Sequence, residues 1–105
     1  MSVSEIKKSF FIFGLGVSGL SAALLLKKKS HSIFCWDDDH KKRISAEKKK
    51  LKIENVNSID FRKINYLIAS PIINHKLKNV SPIIQKAKKK KVKIISDLEL
   101  LMIFD

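Results

Sequence analysis

This sequence predicts an α/β protein: a Rossmann-like open parallel sheet of about five strands with helices on both faces, in a single domain. Three observations carry that expectation. Short apolar runs of strand type, at 9–13, 32–36, 66–69 and 92–95, alternate with stretches of helical spacing. The first run passes directly through Gly14-Leu15-Gly16-Val17-Ser18-Gly19 into Leu20–Leu26, so a glycine turn joins a strand to a helix. Strand–helix alternation in turn implies right-handed crossovers and parallel pairing.

The glycine turn organises the chain, because all three glycines of the protein lie in it. The first allows the tight strand-to-helix turn, and the second lets a phosphate reach bare backbone. The third lets the helix pack closely on its strand. The unbonded N–H groups at the start of the helix, around Val17 to Gly19, would face an anion with the positive end of the helix dipole behind them. Three blander readings compete, the first being a chance match to so short a motif, which the strand before it and the helix after it argue against. No charge occurs from Phe10 through Leu26, and lysines flank both ends, as in a membrane span of minimal length, about 17 residues. The serines and glycines within it, and the strand–helix pattern around it, argue instead for a central strand and no membrane partner. A plain core strand and helix leaves the glycine spacing without a reason.

Composition narrows the function. Hydrophobic residues make up 45% of 105 residues, enough for a core without disulfides. The single cysteine, Cys35, sits in an apolar run and reads as a reduced core residue of a cytoplasmic protein. His31, His40 and His75 lack ligand spacing, so no metal site is expected. The net charge of +12 invites a nucleic-acid reading, but all but two of the 22 basic residues are lysine. Their runs, at 27–29, 48–50 and 88–91, have no aromatics interleaved for base stacking. Weak, salt-sensitive attraction to polyanions is expected, with no specific nucleic-acid partner.

In chain order, the expected elements are a strand at 9–13 and an amphipathic helix at 17–28 with Leu20, Ala23, Leu24 and Lys27 at helical spacing. A strand at 32–36 ends abruptly in Asp37-Asp38-Asp39, and a lysine-rich helix at 40–50 must be held by tertiary packing. A short edge strand within 51–56 and a connector or single helical turn at 57–65 lead to a buried strand at 66–69. Ser81-Pro82 opens the next helix with a serine cap and proline at its first position. After the last strand, Ser96-Asp97-Leu98-Glu99 is a capping box for a further helix, whose short apolar course suggests continuation into another domain.

In an open parallel sheet, ligands bind outside the carboxyl ends of the strands, where the strand order reverses. Gly14–Gly19, Asp37–Asp39 and Ser70–Asn74 converge there. The ordered set Gly-Leu-Gly-Val-Ser-Gly (14–19), Trp-Asp-Asp (36–38), Ala-Ser-Pro-x-Ile (69–73) and Ser-Asp-Leu-Glu-Leu (96–100) resembles the N-terminal domain of UDP-N-acetylmuramoyl-L-alanine:D-glutamate ligase, the D-glutamate-adding Mur ligase of peptidoglycan synthesis. The resemblance covers nearly the whole chain. It implies a domain that binds the uridine diphosphate end of UDP-N-acetylmuramoyl-L-alanine. Gly14, Gly16, Val17, Ser18 and Gly19 would then lie at the diphosphate, with backbone N–H groups and the Ser18 hydroxyl as donors. Asp37 would accept from the uracil imide N–H, with Asp38 beside it, and Ser70, Pro71 and Ile72 would form a third ligand loop.

The chain departs from that family at three places. Asp38 stands where a threonine or other polar group is common, and Asp39 where some members carry arginine. Three acids offer no side-chain donor to a uracil carbonyl, so a backbone N–H would have to serve. Ile72 replaces a glycine, at a cost of roughly 1–3 kcal/mol if that backbone is strained. The family's reaction uses ATP and Mg to phosphorylate the substrate carboxylate before D-glutamate attacks. An ATP loop of the form Gly-x4-Gly-Lys-[Ser/Thr] is absent here, since no glycine follows residue 19 and none precedes a lysine. No cofactor and no catalytic residue is therefore expected in this chain, and the remaining ligase domains would be its partners. The alternative from the glycine signal alone is an NAD- or FAD-binding domain of an oxidoreductase.

Overall fold

The computed structural model describes residues 8–69, 82–96 and 99–100. Its strands are β1 (Ser9–Phe13), β2 (Ser32–Trp36), β3 (Lys52–Ile53), β4 (Tyr66–Ala69) and β5 (Lys93–Ser96). Its helices are α1 (Val17–Lys28), α2 (His40–Lys48) and α3 (Pro82–Lys89), with 3₁₀ turns at Val56–Ser58 and Phe61–Lys63. All strand pairs are parallel, in the order β3-β2-β1-β4-β5. The chain thus runs outward from β1 to β3, then returns to the other side of β1. Phe13 pairs with Trp36 on one side and Ala69 on the other, which brings the carboxyl ends of β1, β2 and β4 level at the reversal point.

Strand alternation divides the apolar side chains between two faces. Phe10, Ile12, Ile33, Cys35, Ile68 and Ile95 point to one, where Ala22, Ala23 and Leu26 of α1, Ala46 of α2 and Leu100 cover them. Phe11 and Leu67 point to the other, under Ile59, Phe61, Ile64, Ala87 and Val92. A parallel sheet needs both faces covered, and burial of each large side chain here contributes about 1.5–3 kcal/mol. The 3₁₀ turns fill the region expected as a connector, each opened by its own side-chain cap: Asn55 accepts from the Asn57 N–H, and Asp60 from that of Arg62.

The buried stripe of α1 is offset from the helically spaced set Leu20, Ala23, Leu24 and Lys27. Gly19, Ala22, Ala23 and Leu26 face the sheet, whereas Leu24 is 38% exposed. Three of the four that face the sheet are glycine or alanine, which lets the helix lie close to β1, while Leu20, Leu24 and Leu25 flank the contact. The edge strand β3 shrinks to two residues, since only Lys52 and Ile53 find partners on β2.

All three helices end the same way without glycine. Ser30, Lys50 and Lys91 adopt left-handed φ of 65°, 63° and 59°. The next residue in each case turns its N–H back into the helix: His31 to Leu26 O, Leu51 to Ala46 O, Val92 to Ala87 O. These are Schellman closures, and the residues that each of them joins are buried. The Lys27 ammonium also donates to the carbonyls of Lys49 and Lys50, tying the end of α1 to the end of α2. The capping box after β5 is reciprocal: Ser96 Oγ accepts the Glu99 N–H at 3.0 Å, and Glu99 Oε1 accepts the Ser96 N–H at 3.4 Å. The serine cap expected at Ser81 lies outside the described residues. Among those residues no helix is long and apolar enough to cross a membrane, and no group of three or more His, Cys, Asp or Glu side chains could hold a metal.

Candidate functional site

The three glycines of the turn serve three separate needs. Gly14 has φ of 106°, which side chains rarely allow, and its N–H donates to the Trp36 carbonyl at 2.8 Å. A methyl group on Gly19 would overlap the Gly14 carbonyl oxygen and sit 3.1 Å from its carbon. This glycine is therefore required for α1 to rest on β1. Gly16 is different. Its φ of −69° and ψ of −171° suit any residue, and a methyl group there would meet no heavy atom of the described residues within 4 Å. Neither its dihedral angles nor the packing of the described residues demands a glycine at 16.

Gly16 lies at the start of α1. The helix has no side-chain cap and no acid in its first turn. Its first internal bond is Leu20 N–H to Gly16 O at 2.9 Å, and the N–H groups of Val17, Ser18 and Gly19 have no acceptor among the described residues. Val17 is 88% exposed, Gly16 before it is exposed as well, and Ser18 is half-buried. By contrast, α2 is capped by Asp39, whose carboxylate accepts the Lys41 N–H at 2.9 Å. An uncapped helix start with bare backbone in front of it is an arrangement that accepts an anion.

Asp37 joins the glycine turn to the end of β2. Its Oδ2 accepts the Leu15 N–H at 2.7 Å, and its Oδ1 accepts the Asp39 N–H at 2.8 Å. The carboxylate is thereby fixed by one amide from each loop, with a second lone pair on each oxygen for a further donor. Asp38 is exposed, and its Oδ1 accepts the Trp36 indole N–H at 2.9 Å. Thus Gly14, Gly16, Val17, Ser18, Gly19, Asp37 and Asp38 are brought to one end of the sheet. Ser70, Pro71 and Ile72 lie outside the described residues.

The residue that sequence reasoning missed here is Arg43. From the first turns of α2 its Nη1 donates to the Asp37 carbonyl at 2.7 Å, and its guanidinium carbon lies 4.5 Å from the centre of the Trp36 ring. A side-chain donor therefore does stand at the acidic corner. The available signal was compositional: Arg43 is one of only two arginines among 22 basic residues. Cys35, one residue before Trp36, is fully buried, and burial pushes its thiol up to about 12, so it contributes no nucleophile.

With this geometry in view, the sequence relatives become informative. UDP-N-acetylmuramoylalanine–D-glutamate ligase of Roseobacter denitrificans is 31% identical over 90 residues, covering 85% of this chain and 19% of its own length. The enzyme of the same name from the Wolbachia of Brugia malayi is 30% identical over 105 residues, covering 97% and 21%. This chain is related to the N-terminal domain of the D-glutamate-adding Mur ligases. It spans about a fifth of the length of the curated relatives it matches. No protein-family model matches it. Among solved structures, shikimate dehydrogenase from Aquifex aeolicus superposes with a TM-score of 0.66 at 20% identity, covering 92% of this chain and 45% of that one. The shikimate 5-dehydrogenase of Thermus thermophilus, solved with NADP(H) and shikimate, gives 0.68 at 16% identity, covering 90% and 45%. The dehydrogenase likeness shows the Rossmann-like fold of this chain and leaves the ligand to the site itself.

Proposed function

We propose that this chain binds the UDP part of UDP-N-acetylmuramoyl-L-alanine, acting as the N-terminal domain of an ATP-dependent ligase that adds D-glutamate in cytoplasmic peptidoglycan synthesis. The observation that carries this reading is the bare backbone of Gly16, the N-cap of α1, where an added methyl group would meet no heavy atom of the described residues within 4 Å and behind which the amides of Val17, Ser18 and Gly19 have no acceptor among those residues. A diphosphate placed there would accept those N–H groups and the Ser18 hydroxyl. Asp37, already held by Leu15 and Asp39, would offer its remaining lone pairs to the imide N–H of the base. The sequence relatives favour this nucleotide over a nicotinamide or flavin dinucleotide, the other ligand such a loop accepts. The bond-forming chemistry would belong to the other ligase domains, because this sequence contains no ATP loop.

Calorimetric titration with UDP-N-acetylmuramoyl-L-alanine and, separately, with NAD tests the reading. Saturable binding of the first and none of the second is expected. Gly16→Val should abolish binding while leaving the melting temperature near that of the parent chain, since no atom of the described residues competes for the space. Saturable binding of NAD alone would overturn the proposal. Equal binding by Gly16→Val would remove the glycine turn from the site.

A further inference from the structure

We infer that Arg43 is a positioning residue that sets the base selectivity of the site by holding the corner that presents Asp37. The corner is four residues long, and every side chain in it is tied down. Trp36 gives its indole N–H to Asp38, Asp37 takes the Leu15 and Asp39 amides, and Asp39 caps α2. The ties from Asp38 and Asp39 reach only two residues along the chain. Arg43 is the group that anchors the corner from a turn further on. Its Nη1 holds the Asp37 carbonyl at 2.7 Å, its guanidinium lies over Trp36 at 4.5 Å, and its Nη2 approaches His40 Nδ1 at 3.3 Å.

The choice of arginine fits this task. Lysine occupies all but two of the basic positions in the chain, so arginine marks places where a planar fork is used. At the other such place, Arg62, the fork closes on both carboxylate oxygens of Asp60 through Nε and Nη2. Arg43 uses the same rigidity to hold a carbonyl while lying against the indole. A lysine would keep the charge, but one ammonium cannot do both. It would let the Asp37 backbone drift relative to Leu15, and the carboxylate with it. The part of a nucleotide that would feel this is the base, which Asp37 addresses, and not the diphosphate, which the amides of α1 address.

The inference rests on the proposed UDP reading, and Arg43→Lys tests the two separately when UDP and ADP are each titrated. The parent chain should bind UDP more tightly than ADP. In Arg43→Lys, UDP affinity should fall about tenfold, the scale of one lost charge-assisted hydrogen bond, while ADP affinity stays within about twofold. Undiminished UDP affinity would overturn the inference and leave the UDP reading standing. Parallel loss of UDP and ADP binding would also overturn it, because a merely structural role would weaken both. If the parent chain itself shows no preference for UDP, the reading fails and the inference falls with it. Trp36→Phe retains a ring for packing but loses the indole bond to Asp38 and most of the platform under Arg43. It should shift the UDP-to-ADP preference in the same direction, and it decides the matter if Arg43→Lys does not fold.

Discussion

Gly19→Ala is the substitution whose cost the structure defines most closely. The added methyl overlaps the Gly14 carbonyl oxygen, with the carbonyl carbon 3.1 Å away. Both are backbone atoms, so no rotamer change relieves the contact. Gly14 cannot easily rotate aside, because its N–H is bonded to Trp36 and its φ is already 106°. The remaining route is for α1 to lift from β1, which would loosen Ala22, Ala23 and Leu26 from the core they share with Ile12 and Cys35. Overpacking of this kind costs about 1–3 kcal/mol, and backbone contact places it at the upper end, about 2–3. At about 4–8 °C per kcal/mol for a domain of this size, the melting temperature should fall by roughly 8–24 °C. Gly16→Ala is the matched control, with no atom of the described residues within 4 Å and an unstrained φ. It should change stability by less than about 1 kcal/mol, since the small cost of alanine at the N-cap of α1 opposes the gain from a stiffer unfolded chain. Urea unfolding and thermal melts of the pair provide the comparison. A Gly19→Ala melt within about 2 °C of the parent, where about 8 °C or more is expected, would refute the packing argument, as would a Gly16→Ala loss as large as that at 19.

Other perturbations have equally definite outcomes. Lys50→Gly should stabilise the chain by about 0.5–1 kcal/mol, because it relieves left-handed strain of about 1–2 kcal/mol at φ 63° against a smaller gain in unfolded-state freedom; an unfolding midpoint below the parent's would contradict this. The Cys35 thiol, raised to about 12 by burial, should resist a disulfide reagent at pH 8 in the native state and react promptly in urea, so rapid native labelling would show that β2 is not sealed. His31 is buried, accepts the Lys8 N–H on Nδ1, and is lowered from 6.5 first by desolvation and then by Lys29 and Lys8. The unfolded chain therefore binds the extra proton more readily, and the stability this neutral ring contributes is full above pH 6.5 and lost as pH falls through 6.5 toward the lowered value. An NMR titration placing His31 at or above 6.5 would reverse that sign. Ser18→Ala removes one hydroxyl donor but no amide, so affinity for the diphosphate ligand should drop by only about 1–2 kcal/mol; complete loss in calorimetry would mean that the amides of α1 do not carry the site.

What the amino-acid order determined by itself are the features made within a few residues of one another. The four strand runs, the glycine turn into α1 and the Ser96–Glu99 capping box all depend on local periodicity or on bonds spanning three or four positions; the turn and the box stand where the pattern put them, and the runs do so to within one residue. The Schellman endings were not legible, because serine and lysine at left-handed positions carry no glycine signal. Only the tertiary structure could separate the glycines into a turn, a packing contact and an open space, since that distinction depends on which atoms lie opposite each Cα. It likewise turned the buried face of α1 toward its smallest residues, joined Asp37 to Leu15 across 22 positions, and laid Arg43 on Trp36. Those contacts exist because the β1–β2 register sets Phe13 beside Trp36, and a register is chosen by the packing of the whole sheet rather than by either strand alone.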